Sequence, residues 1–137
     1  MTAPFCQSFT ALSEDIDDLG HVNNTVWLKW VQDIATAHWK SAGRPADIDR
    51  FLWVVVRHEI DYRGNIGEGE SVNGETWIES RVRGAKSDRR VDFKNSEHQI
   101  IVSARTTWAM LERDSKRLVR IKPEIVLPFQ RIEDQYR

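Results

Sequence analysis

Residues 15–33 read DIDDLGHVNNTVWLKWVQD. Three aspartates fall within four positions, and Gly20, His21, Asn23 and Asn24 follow at once. From Val26 the apolar residues recur at helical spacing. Val26, Trp30 and Ile34 form one row, and Trp27, Val31 and Ala35 form its neighbour, so the apolar stripe is broad. Asn23 or Asn24 offers an N-cap, because a short amide side chain accepts from the free N–H groups of a first turn. SAGRP at 41–45 stops the helix: Gly43 suits a left-handed C′ position and Pro45 cannot continue it. The spacing predicts one helix of about five turns.

The chain on either side reads as strands. Upstream, FCQSFTALS (5–13) is a first strand. Downstream, FLWVVVRHEIDY (51–62) starts as a solid apolar run and then alternates, with Val54, Val56, His58, Ile60 and Tyr62 on one face. RGNIGEGE is a glycine-bearing connection. SVNGETWIESRV (71–82) alternates again, with Val72, Thr76, Ile78 and Val82 together. Gly84 marks a turn, RRVDFKN (89–95) is a short strand, and QIIVSARTTWAMLER (99–113) is the longest one. DSK turns the chain into a last strand, RLVRI (117–121). PEIVLPF makes a short helical turn, and 131–137 form a frayed tail. One strand, one long helix and a run of antiparallel strands predict an α+β fold, with the helix buried against one face of a curled antiparallel sheet. Apolar positions on both faces of residues 99–111 suggest that the other face is covered too, by a second subunit.

The chain has 137 residues and a formal net charge of −1. That length suits a single domain, 1–137. The charge gives no reason to expect nucleic acid or an anionic membrane as a partner. Cys6 is the one cysteine. It has no internal disulfide partner and no cationic neighbour in sequence, so it reads as a reduced, inert thiol. MTAPFCQSFT has no secretory pattern and FLWVVV is too short to span a bilayer, so the expected location is cytoplasmic. The six tryptophans are spread along the chain, which favours core and subunit contacts over a single binding box.

The block DIDDLGHVNNTVWLKWVQD resembles the D-x-D-x-x-G-H-V-N-N-x-x-Y-x-x-x-x-E signature of hotdog-fold acyl-CoA thioesterases of the 4-hydroxybenzoyl-CoA thioesterase type. VVVRHEIDYRGNIGEGESV resembles their second strand with the following loop, and RVRGAKSDRR their next hairpin. The resemblance implies a hotdog fold, with one long helix wrapped by a sheet of five or six strands. It implies homodimers or homotetramers, and hydrolysis of an acyl thioester with no metal and no cofactor beyond the coenzyme A of the substrate. It places Asp17 at the catalytic carboxylate position. Gly20 and the backbone N–H near Asn24 then take the place of the oxyanion-binding helix start.

General chemistry agrees with that arrangement. A thioester carbonyl gains negative charge when attacked, and a helix N-terminus offers unpaired N–H groups and a positive dipole end. Gly20 lets a substrate approach the backbone, and a nearby carboxylate attacks the carbonyl or activates water. Asp15 shares the parity of Asp17 and is the runner-up; Asp18 points the other way. His21 bonds the carboxylate or lines the site, or else it fixes the loop; no second ligand stands near enough to make it a metal site. Asn23 and Asn24 fasten the loop and cap the helix.

Two positions depart from the signature. Trp27 replaces its tyrosine, and Gln32 replaces its glutamate. Gln32 can hold a water or orient a neighbour but cannot act as a base. His58 is either a satisfied core histidine or a border of the acyl pocket; His38 and His98 give no signal. Arg81, Arg83, Lys86, Arg89 and Arg90 are a solvated strand face or, for Lys86, Arg89 and Arg90, a site for the phosphates of coenzyme A. The substrate-binding set is thus Asn23, Trp27, Gln32, His58, Lys86, Arg89 and Arg90. Plant acyl-carrier-protein thioesterases carry a similar block, with asparagine where this chain has Leu19. The alternatives to an acyl-CoA thioesterase are an acyl-carrier-protein thioesterase, a non-catalytic acyl-CoA-binding or sensing module, and a hotdog hydratase.

Overall fold

A computed structural model describes residues 4–131. Its elements are β1 (Phe5–Thr10), α1 (Asn24–Ala42), α2 (Pro45–Arg50), β2 (Phe51–Tyr62), β3 (Ser71–Arg83), β4 (Lys86–Lys94), β5 (Ile100–Glu112) and α3 (Pro123–Val126). The five strands form one antiparallel sheet in the order β1-β3-β4-β5-β2, so β1 and β2 are its edges. This is the hotdog arrangement of the α+β class.

The nineteen residues of α1 lay the predicted stripe against the sheet: Trp27, Trp30, Val31, Ile34, Ala35 and His38 are all buried. Two apolar clusters sit along it. Under its N-terminal half, Trp27 and Trp30 meet Phe9, Val91 and Phe93. Under its C-terminal end, Trp39 joins Phe51, Ile78, Met110 and Phe129. Helix and sheet approach closely at Gly74, where a Cβ would stand 2.9 Å from Ile34 Cδ1.

Several expectations need correction. Residues 117–121 do not form a sixth strand; Leu118 makes a single bridge with Leu111, and the segment crosses the sheet's end as Val119 and Ile121 donate to Met110 and Gly84. Gly43 is not left-handed but extended, at φ −68°. Glycine is needed there because a Cβ would lie 2.6 Å from the carbonyl oxygen of Trp39. Pro45, besides stopping α1, opens the unexpected α2.

In β2 a bulge between Val55 and Arg57 breaks the expected single face. Phe51 and Trp53 pack inward before it and Ile60 after it, while Val54 and Val56 stay exposed. The outer face of the sheet is polar rather than apolar: Arg105 pairs with Glu79 and Asp88, Lys94 with Glu75, and Ser103 bonds Asp92. From residue 132 on, the expected tail lies outside the described residues. No described helix is long and apolar enough to cross a membrane.

Candidate active site

The acidic loop is a small hairpin closed on itself. Ile16 bridges to Val22, the Asp17 N–H donates to the carbonyl of His21 at 2.8 Å, and Gly20 turns the chain at φ +77°. That φ is one that a side chain disfavours. Asp17 Oδ1 accepts from the N–H groups of Leu19 (2.9 Å) and His21 (3.2 Å). Among the described residues Oδ2 has no such partner. One oxygen of the half-buried carboxylate therefore fastens the loop, and the other is available.

The other two aspartates, the runner-up Asp15 among them, are placed differently. Asp15 is occupied, accepting from the Leu12 N–H at 2.9 Å, and Asp18 is exposed. His21 is exposed as well and takes part through its backbone.

Asn65 ties this loop to the β2–β3 connection. Its Oδ1 accepts from the N–H groups of Val22 and Ile66, and its Nδ2 donates to the carbonyl of Val22. The sequence signal for it was weak: one asparagine among the glycines of RGNIGEGE.

Asn23 is the N-cap. Its Oδ1 accepts from the N–H and the hydroxyl of Thr25, each at 2.9 Å, and its carbonyl accepts from Val26 and Trp27. Three of the first four N–H groups of α1 are thereby met. Among the described residues, the backbone N–H of Asn24 is the one left without an acceptor. The cap side chain faces its own helix turn, so Asn23 is a fastener.

Further along α1, Gln32 Nε2 lies 3.5 Å from His58 Nε2, and His58 Nδ1 lies 2.8 Å from Thr106 Oγ1. Burial lowers the proton affinity of His58. A neutral ring that accepts from Gln32 and donates to Thr106 satisfies both contacts. The structure thus joins two residues singled out separately in the sequence.

Trp27 leaves the substrate-binding set. It is fully buried, with ring centroids 5.1 Å from Trp30 and 5.2 Å from Phe93. It stands where the helix faces the sheet, which is the place for bulk rather than for a ligand contact.

Lys86, Arg89 and Arg90 do not form one basic patch, because side chains alternate across a strand. Lys86 is exposed at the start of β4. Arg90 donates to Ser103 Oγ on the outer face at 3.2 Å. Arg89 points inward and is 4% exposed. Its Nη1 donates to His38 Nδ1 at 2.9 Å and to Thr76 Oγ1 at 3.1 Å. Burial, and secondarily the Arg89 charge, push His38 down to about 3, so its ring is neutral; burial holds Arg89 down at about 9, still charged at neutral pH. His38 had given no sequence signal, since its partner lies on a strand fifty-one positions away.

One long helix with an open donor at its start, wrapped by a five-stranded curled antiparallel sheet, is the hotdog fold. Residues 3–129 match the acyl-ACP thioesterase N-terminal domain family, and the chain belongs to that family. Among solved structures it is similar to an acyl-ACP thioesterase from Bacteroides thetaiotaomicron, at 22% identity and a TM-score of 0.80. That match covers 93% of this chain and 53% of the other, so the chain spans about half the length of that protein. It is also similar to YbaW, a probable thioesterase from Escherichia coli, at 14% identity and a TM-score of 0.79, covering 90% of this chain and 94% of that one. A 1,4-dihydroxy-2-naphthoyl-CoA thioesterase from Synechocystis aligns at 14% identity and a TM-score of 0.70, covering 86% and 89%. At these identities the likeness speaks to the fold. No curated protein sequence matches the chain.

Proposed function

We propose that the chain hydrolyses acyl thioesters, with Asp17 as general base and the Asn24 N–H as oxyanion donor. The observation that carries this reading is the pairing of one unengaged Asp17 oxygen with one unengaged helix-start donor. Asp17 Oδ2 takes a proton from a water as its oxygen adds to the thioester carbon. The carbonyl oxygen becomes anionic and accepts from Asn24, where the helix dipole adds to the hydrogen bond. The intermediate collapses by breaking the C–S bond. The proton passes to the departing sulfur, leaving a carboxylic acid and a thiol. Gln32, farther along α1, and His58, on β2, are polar contacts on the substrate's path.

The test uses the chemistry of the amide. Asp17→Asn keeps an Oδ1 acceptor for Leu19 and His21 but removes the base. Thiol release is expected to fall about a hundredfold with the melting curve nearly unchanged, the usual scale for losing a general base. Wild-type turnover in Asp17→Asn would sink the assignment.

The dispersal of Lys86, Arg89 and Arg90 removes the basic hairpin that favoured coenzyme A as the handle. The family match favours an acyl carrier protein. Parallel assays of one acyl group on both carriers compare the two. The edge strand β2 supports a homodimer as the working form, since Val54 and Val56 leave an apolar strip along it. The thioester then enters between subunits, and a homotetramer is two such pairs.

A further inference from the structure

A cavity of about 250 Å³ opens between the C-terminal half of α1, the start of β2 and the inner face of the sheet. Trp39, Phe51, Trp53, Ile78 and Trp108 supply apolar walls. Arg89 and Ser87 also line it, and Lys40 and Arg113 stand among its other lining residues. Thirteen residues line it: three are cations and none is a carboxylate.

Arg89 is the unusual member. It is 4% exposed, and both of its side-chain hydrogen bonds leave from Nη1 to neutral groups, His38 and Thr76. Among the described residues Nε and Nη2 have no hydrogen-bond partner, and no carboxylate pairs with the guanidinium. Those two nitrogens form the side-on edge of the fork, the edge that takes a carboxylate with two parallel bonds. A buried cation without a counter-ion is costly, and an incoming anion relieves that cost.

We infer that this cavity binds an organic carboxylate, its two oxygens on the Nε–Nη2 edge of Arg89 and its apolar body between the tryptophans. At ~30 Å³ per non-hydrogen atom the space holds about eight such atoms. A six-carbon acid or an aryl acid matches that size. The site is distinct from the helix start in the same chain: Ala35, at its near end, stands eleven residues beyond Asn24, or roughly 16 Å along the helix. The inference is independent of turnover by Asp17.

The tryptophans report on the site. Hexanoate and benzoate are titrated into the intact chain, followed by tryptophan fluorescence and calorimetry, against hexanamide and benzamide. The acids are expected to bind saturably and at least tenfold more tightly than the amides. Arg89→Met is expected to abolish that preference, and Arg89→Lys to keep part of it. Thr36→Trp, at an exposed position lining the cavity, is expected to block binding without disturbing the fold. Equal binding of acid and amide by the wild-type chain overturns the inference, even if Arg89→Met does not fold. So does acid binding that survives Thr36→Trp, or a folded Arg89→Met that still prefers the acid.

Discussion

At the scale of single residues, the proposed reading gives the Asp17 carboxylate two purposes. Its Oδ1 holds the loop, and its Oδ2 is the oxygen proposed to act as base. The two roles separate by mutation. Asp17→Ala is expected to lose activity like Asp17→Asn and also about 1–2 kcal/mol of stability, because two backbone donors lose their acceptor; chemical denaturation of the three proteins measures the difference. His38 makes a second prediction. Its folded form stays neutral down to about 3, chiefly because it is buried, while in the unfolded chain it protonates near 6.5. The unfolded state therefore binds more protons between those values, and stability falls as pH drops from about 6.5 towards 3. His58, also lowered by burial, adds a change of the same sign. His38→Asn is expected to flatten the slope of unfolding free energy against pH in that window, and an unchanged slope would refute the assignment.

At the scale of elements, α1 is placed by close contact at Gly74. Gly74→Ala puts a Cβ 2.9 Å from Ile34 Cδ1 and 3.2 Å from Phe93 Cε1, both buried. It is expected to cost about 1–3 kcal/mol, as overpacking does, read as a lowered Tm. A neutral result would mean that α1 can lift from the sheet. The elements also show what a sequence can disclose. α1 and the strands were legible because burial imposes a period on the apolar residues. The bulge in β2 was not: one extra residue in an unbroken apolar run, FLWVVV, leaves no mark in composition. α2 was hidden because PADIDR is too short to show a period. At the site, Asp17, Asn23, Gln32 and His58 were each singled out in the sequence, but the meeting of Gln32 with His58, twenty-six positions apart, was not. The fate of Arg89 required its partners His38 and Thr76, which only the fold brings near. The opposite facing of Arg89 and Arg90 follows from strand alternation alone, but the expected phosphate site set that rule aside.

At the scale of the whole molecule, charge and apolar surface are divided by face and edge. The outer face carries ion pairs, including Asp88, whose carboxyl is held low first by its hydrogen bond from Arg83. The apolar strip lies instead on the β2 edge, where Val54 is 41% and Val56 49% exposed. A homodimer formed there predicts that Val54→Lys with Val56→Lys shifts the chain to a monomer in sedimentation, with activity lost if the thioester site spans the seam. An unchanged sedimentation profile would place the interface elsewhere. The tryptophans are divided as well. Trp27 and Trp30 are sealed in the core beside Phe93, while Trp39, Trp53 and Trp108 surround the cavity. The chain thus carries two optical channels. Replacing Trp77 and every tryptophan of one group by Phe leaves the other group to report alone, so loss of the folded state and occupancy of the cavity become separately readable signals in one unlabelled protein.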